Sequence, residues 1–312
     1  MVARFVVALV AAGALACGGS ATSPTSSAST SSTTNPSCAG TVGVKCVGTN
    51  SYVDYTPGNL PIVISVPHGG ALAPTAIADR TGSVTTVTDT NTIELAQAIV
   101  AAFQARTGKT PHVIICELRR TKLDANREVV EAAQGNASAV TAWNEYHAFV
   151  EQATRAAIAQ SGTGFYIDLH GHGHDIQRLE LGYLLTASQL ALTDAQLDAG
   201  NFVSTSSLIR AMPRTSAKFS EVLRGASSLG GLLGLSSPSV PSVPSPLAAA
   251  PGSDPYFDGG YSTDRHTATL PGLQIESNFT GVRDNATSRA AFSGVLVEAI
   301  RTFVSRHLGV SL

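Results

Sequence analysis

Charge is what this chain has least of. Asp, Glu, Lys and Arg make up 13% of its 312 residues, about half the usual share. The 20 basic and 22 acidic residues leave a formal net charge of -2. With no basic run either, the chain lacks the electrostatic footprint of a nucleic-acid binder. Cysteine is scarce as well, at four residues, too few for a disulfide-built scaffold of this length. No Gly-x-Ser-x-Gly elbow occurs, which removes the usual serine-hydrolase nucleophile. There is no internal repeat and no sign of a second domain. What is present is apolar material, 43% of the chain, enough for one large buried core.

The first residues bear on compartment. Arg4 precedes an apolar stretch from Phe5 to Leu15, too short to span a bilayer comfortably. It ends in Ala14-Leu15-Ala16-Cys17, which resembles the lipobox of bacterial lipoproteins. The expectation is a signal peptide over residues 1–16, a lipid on Cys17, and a Ser/Thr-rich disordered tether over 17–37. The protein would then be exported and face the periplasm or cell exterior, touching the membrane only through its N-terminal lipid anchor. Cys38 and Cys46 lie close enough in sequence to pair in an oxidising compartment. Cys116, inside Val113-Ile114-Ile115-Cys116, reads as a buried, inert thiol.

From Cys38 onward the pattern alternates. Short β-branched runs predict strands over 61–66, 112–116, 164–169, 181–186 and 272–276. Apolar periodicity predicts helices over 92–104, 139–160 and 288–308. Strands interleaved with helices imply an α/β fold in three layers, α/β/α, with a mostly parallel mixed sheet. Functional residues then belong at the carboxyl ends of the strands. Residues 226–253, rich in Ser, Pro, Gly and Leu, interrupt the alternation and are expected to be a mobile, lid-like insertion.

Two histidines end predicted strands beside glycine: His68 in Pro67-His68-Gly69-Gly70 and His170 in Asp168-Leu169-His170-Gly171. Imidazole is the commonest zinc ligand, and a catalytic zinc keeps three protein ligands and an open position. A carboxylate would complete the set, and spacing leaves Asp79, Asp89, Glu94 and Glu117 open for it. Asp89 also reads as a helix N-cap. A basic cluster, Arg119-Arg120-Thr121-Lys122-Leu123-Asp124-Ala125-Asn126-Arg127, follows the 112–116 strand. It could read a substrate carboxylate through a guanidinium fork. Glu276 ends the apolar run Leu273-Gln274-Ile275-Glu276, a costly position for a carboxylate without a task.

Taken in order, His68-Gly69-Gly70, Asp89-Thr90-Asn91, Lys122 to Arg127, Tyr146-His147, Asp168-Leu169-His170, Gly259-Gly260-Tyr261 and Ile275-Glu276 resemble the N-formylglutamate amidohydrolase family. That family is similar in fold to the zinc carboxypeptidases and aspartoacylases. The resemblance covers about residues 60 to 285 and implies one zinc per chain. It assigns His68, Asp89 and His170 as metal ligands, with Asp89 preferred to Glu94, and Glu276 as catalytic acid/base. It assigns substrate contact to Arg120, Asn126, Arg127, His147, Gly260 and Tyr261. The implied reaction is hydrolysis of an amide in a small N-formyl or N-acyl amino acid. An exported peptidase or amidase acting on short peptides or cell-wall fragments is the alternative within that chemistry. A lipoprotein that binds a ligand or metal without catalysis is the alternative outside it, and it requires Glu276 to be locked in a structural ion pair. His172 and His174 receive no role.

Overall fold

The computed structural model describes residues 38–312. The expected signal peptide, lipid-bearing Cys17 and tether lie outside the described residues. Its strands are β1 (Cys46–Val47), β2 (Val53–Thr56), β3 (Ile62–Val66), β4 (His112–Cys116), β5 (Phe165–Gly171), β6 (Leu179–Gly182), β7 (Ser242–Val243) and β8 (Gly272–Ser277). They form one sheet in the order β1-β2-β4-β3-β5-β8-β6-β7. The centre of the sheet, β4-β3-β5-β8, is parallel. The flanking pairs β2/β4 and β6/β8 are antiparallel. This is the expected α/β architecture with a mixed sheet.

Side chains alternate across the strands, and the two faces build separate cores. Ile62, Ile64 and Val66 of β3 pack with Leu95, Phe103, Leu296 and Phe303 from the helices Thr92–Thr107 and Ala286–Leu308. Val63, between them in sequence, packs on the other side with Tyr146, Phe149 and Val150 of the helix Ala137–Ser161. Both faces of the parallel strands are therefore covered, which is why β3 and β4 are buried throughout and mostly apolar rather than alternating.

Two features depart from the expectation. The stretch before residue 60, for which no strand is expected, supplies β1 and β2, and a Cys38–Cys46 disulfide ties the start of β1 to the chain before it. Residues 226–253 contain a helix, Leu229–Gly234, and strand β7, which pairs with β6. Leu229, Leu233, Val240 and Val243 of this segment are buried. These four belong to the core, while Leu235 and Leu247 are exposed, and none of the segment's residues lines the cavity described below. Among the described residues no helix is long and apolar enough to cross a membrane. Cys116 is buried, and burial pushes its thiol up to about 12.

Candidate metal centre and active site

The parallel strands deliver the key residues to one edge. His68 follows β3, while His170 on β5 stands in register with Glu276 on β8. The loop after His68 passes so close to the chain leaving β4 that a Cβ on Gly70 would lie 2.3 Å from the Glu117 carbonyl carbon. This close approach explains the glycine there. Asp89 arrives from the loop before the Thr92–Thr107 helix. It does not cap that helix, whose N-cap is Asn91. Its Oδ2 instead accepts the Gly171 N–H at 3.1 Å. Glu94, the other acidic candidate, is exposed on the first helical turn.

Three atoms converge. His68 Nδ1 and His170 Nδ1 are 3.1 Å apart, and Asp89 Oδ2 lies 3.5 Å from the first and 3.2 Å from the second. All three side chains are buried. The far nitrogen of each ring faces a buried carboxylate: His68 Nε2 lies 2.6 Å from Asp124 Oδ1, and His170 Nε2 lies 3.2 Å from Asp168 Oδ2. Those Nε2 atoms therefore carry the protons and donate, leaving both Nδ1 lone pairs aimed at each other and at Asp89. Three lone-pair atoms turned on one another away from water need a cation between them. Bonds of 2.0–2.1 Å to a tetrahedral zinc imply ligand separations of about 3.3–3.4 Å, which the triangle matches. The residues therefore fit a divalent metal, with the carboxylate–histidine pairing that orients metal ligands.

Without a metal, a proton held on His170 supplies that cation. Against the penalty of burial, hydrogen bonds from His170 and His68 hold Asp89 far below the usual carboxylate range. Burial alone would lower His170, but Asp168, Asp89 and Glu276 raise it well above its ordinary value. Asp124 is likewise lowered despite burial, by His68 and Arg120.

Glu276 stands beside this triangle, its Oε1 4.0 Å from His170 Nδ1 and accepting a hydrogen bond from Gln274 Nε2 at 3.0 Å. Among the described residues it has no Lys or Arg partner. Burial, with smaller contributions from Asp89 and Glu180, pushes it up to about 8. It lines a cavity of about 330 Å³, shared with His68, Asp89, His170, Arg120, Asn126, Arg127 and Gly260.

Arg120 is buried and donates from Nε to Asp124 Oδ2 at 2.9 Å. Arg127 is partly exposed at the rim, between the Asn126 carbonyl and Glu131. Asn126 Oδ1 accepts the Ser262 N–H at 2.7 Å. A Cβ on Gly260 would lie 2.3 Å from Asn126 Nδ2, so a side chain there would dislodge the asparagine.

Two assigned residues lie elsewhere. His147 and Tyr261 are not among the cavity residues. The His147 ring is buried against Trp143 and within 2.8 Å of His266 Nε2, and it is held well below its ordinary pKa by burial and then by His266. Tyr261 receives a hydrogen bond from Arg265 and packs near Trp143. Their contribution is indirect, because Trp143 Nε1 donates to the Arg127 carbonyl and braces the rim.

Other supporting residues went unassigned in the sequence. Asp124 and Asp168 sit inside the recognised motifs, so their signal was present but without a role. Arg283 had no signal. Buried, it donates to the carbonyls of Thr90, His172 and Ser277, tying three site loops together.

Fold and site together define an α/β protein with a buried two-histidine, one-carboxylate group at the carboxyl edge of its sheet. Among solved structures it is similar to an N-formylglutamate amidohydrolase from Ralstonia eutropha JMP134, at 14% identity and a TM-score of 0.46, covering 80% of this chain and 95% of that one. A gene product of Agrobacterium tumefaciens is similar at 14% identity and a TM-score of 0.44, with coverages of 83% and 98%. An N-acetylmuramyl-L-alanine amidase from Mycobacterium smegmatis follows at 12% identity and a TM-score of 0.29, with coverages of 78% and 96%. No family model and no curated protein matches the chain in sequence.

Proposed function

We propose that this protein is a zinc-dependent amide hydrolase acting on small N-acylated amino acids or short peptides, exported and anchored by an N-terminal lipid. The observation that carries the reading is Glu276: a buried carboxylate facing the cavity beside the three converging ligand atoms, without a Lys or Arg partner among the described residues. A structural carboxylate in a purely binding protein would be locked in an ion pair.

His68, Asp89 and His170 would hold the metal. When bound, zinc polarises the scissile carbonyl and makes water acidic enough to ionise near neutral pH. The protein supplies the rest. Glu276 accepts a proton from the attacking water and returns it to the leaving nitrogen. Its raised affinity for protons suits both directions, and cationic charge at the neighbouring ligands favours the carboxylate form for the first. Arg120 offers positive charge to the developing oxyanion. Arg127, on the rim, presents its guanidinium to a substrate carboxylate. The cavity, about 330 Å³, lies at the small end of ligand sites and admits a small acyl amino acid or a very short peptide.

The test is metal content and turnover of the purified full-length chain. One zinc per chain is expected, lost in His170→Ala. Glu276→Gln should keep the zinc and lose at least about 100-fold in turnover of an N-acyl amino acid. Full turnover in Glu276→Gln would remove it from this role, and absence of metal after zinc reconstitution would end the zinc reading.

A further inference from the structure

His172, His174 and Glu180 form a second group with metal-ligand chemistry, whose two histidines line the same cavity. The hydrogen bonds argue against a second metal. His172 Nδ1 accepts the His174 backbone N–H at 3.1 Å, so its Nε2 carries the proton and donates to the Arg178 carbonyl at 2.8 Å. Both nitrogens of that ring are used. His174 and Glu180 remain, and they face each other: His174 Nδ1 is 2.7 Å from Glu180 Oε1. The other carboxylate oxygen accepts the Phe257 N–H at 2.8 Å. Phe257 also lies flat against the His174 ring, with centroids 4.8 Å apart and planes 17° apart. Glu180, itself 1% exposed, thus fixes both layers of a stacked wall.

This wall has a definite tautomer. With Nδ1–H donating to Glu180, the remaining atom, Nε2, presents a lone pair. It has no protein partner among the described residues, and the side chain keeps 23% of its surface open on the cavity. The strand order gives it a direction. Across β4-β3-β5-β8-β6, the Arg120/Arg127 loop follows β4, the metal ligands and Glu276 follow or end the three central strands, and Glu180 sits on β6. A substrate with its carboxylate at Arg127 and its amide over the metal ligands projects its acyl half toward His174.

Resting on the hydrolase reading for that orientation, we propose that His174, held by Glu180 and Phe257, is a specificity-determining residue that accepts an amide N–H from the acyl half of the substrate. The preferred substrates are then N-acylated dipeptides or short peptides rather than N-formyl amino acids, whose acyl group has no N–H to offer. An acceptor left unpaired on the cavity wall penalises ligands without that donor.

The test uses a matched pair. N-acetylglycine is the acid that cleavage of an N-acetylglycyl amino acid would release. Acetoxyacetic acid is the same molecule with its N–H replaced by oxygen. Calorimetric binding to the zinc-loaded full chain should favour N-acetylglycine about tenfold. His174→Phe keeps the stacked ring, removes the acceptor and should bring the ratio to about one. His174→Gln, which restores an acceptor oxygen, should recover part of it. Equal affinities in the wild type, a preference surviving in His174→Phe, or no binding of either acid would overturn the proposal. Amide cleavage without the preference would leave the hydrolase reading standing and remove this one. The preference without any amide cleavage would do the reverse.

Discussion

At the residue scale the site depends on two aspartates that touch no substrate. Asp124 and Asp168 face Nε2 of the two candidate ligand histidines, fixing ring orientation and leaving Nδ1 turned toward Asp89. Replacing Asp124 by Asn should weaken zinc binding about 10–100-fold, read by competition with a chromophoric chelator; unchanged affinity would separate this aspartate from the metal site. Glu276 makes a second prediction, for the metal-free protein. Its carboxyl is raised from an ordinary 4.5 to about 8. Between those values the folded protein keeps a proton that the unfolded chain has released. The stability this contributes is fully present below pH 4.5 and is lost as pH rises through 8. In EDTA, wild-type unfolding free energy should fall from pH 5 to 8.5 relative to Glu276→Gln, by on the order of 4 kcal/mol. Parallel denaturation curves at both pH values would refute it.

At the element scale, the sheet margins show how packing overrides composition. β2 carries a valine, an aspartate, a tyrosine and a threonine, and it forms because β4 offers an antiparallel partner. The Cys38–Cys46 bond closes a short loop, of sequence separation 8, against the Ala137–Ser161 helix, where Gln152 donates to the Cys38 carbonyl. Loop-closure entropy for so small a ring predicts a loss of about 2–3 kcal/mol in a Cys38→Ser/Cys46→Ser variant. Chemical denaturation should show it, and reductant should produce the same shift in the wild type but none in the variant. The 226–253 segment teaches the converse. Its Ser and Pro content reads as a loop, yet Leu229, Leu233, Val240 and Val243 are buried and its strand β7 extends the sheet edge.

At the scale of the whole molecule, a metal held by ligands from β3, β5 and the Asp89 loop would join parts of the chain about a hundred residues apart. Ligand binding to the native state alone stabilises by about 4 kcal/mol at a thousandfold excess over Kd. For a domain of this size that corresponds to about 7 °C in Tm. Zinc should therefore raise the melting temperature of the wild type and leave His170→Ala unchanged; an equal rise in both would place the zinc elsewhere.

Much of this was legible in the linear chain. Apolar runs ending in His-Gly or Glu-Ser mark strand ends at a functional edge, since a buried strand tolerates a polar residue only where it leaves the core. The sequence by itself determined the alternation of strands and helices, the parallel centre of the sheet and the pool of candidate ligands. Only the tertiary structure decided among them. Asp89 rather than Glu94 meets the histidines, because Glu94 points to solvent from its helix while the Asp89 loop folds back onto Gly171. His147, a polar residue in a motif, is withdrawn into an aromatic cluster. Glu180 and His174 meet because β6 returns antiparallel beside β8. Periodicity reports which face of an element is buried; it carries no information on which distant side chain arrives opposite, and the site's chemistry depends on those arrivals.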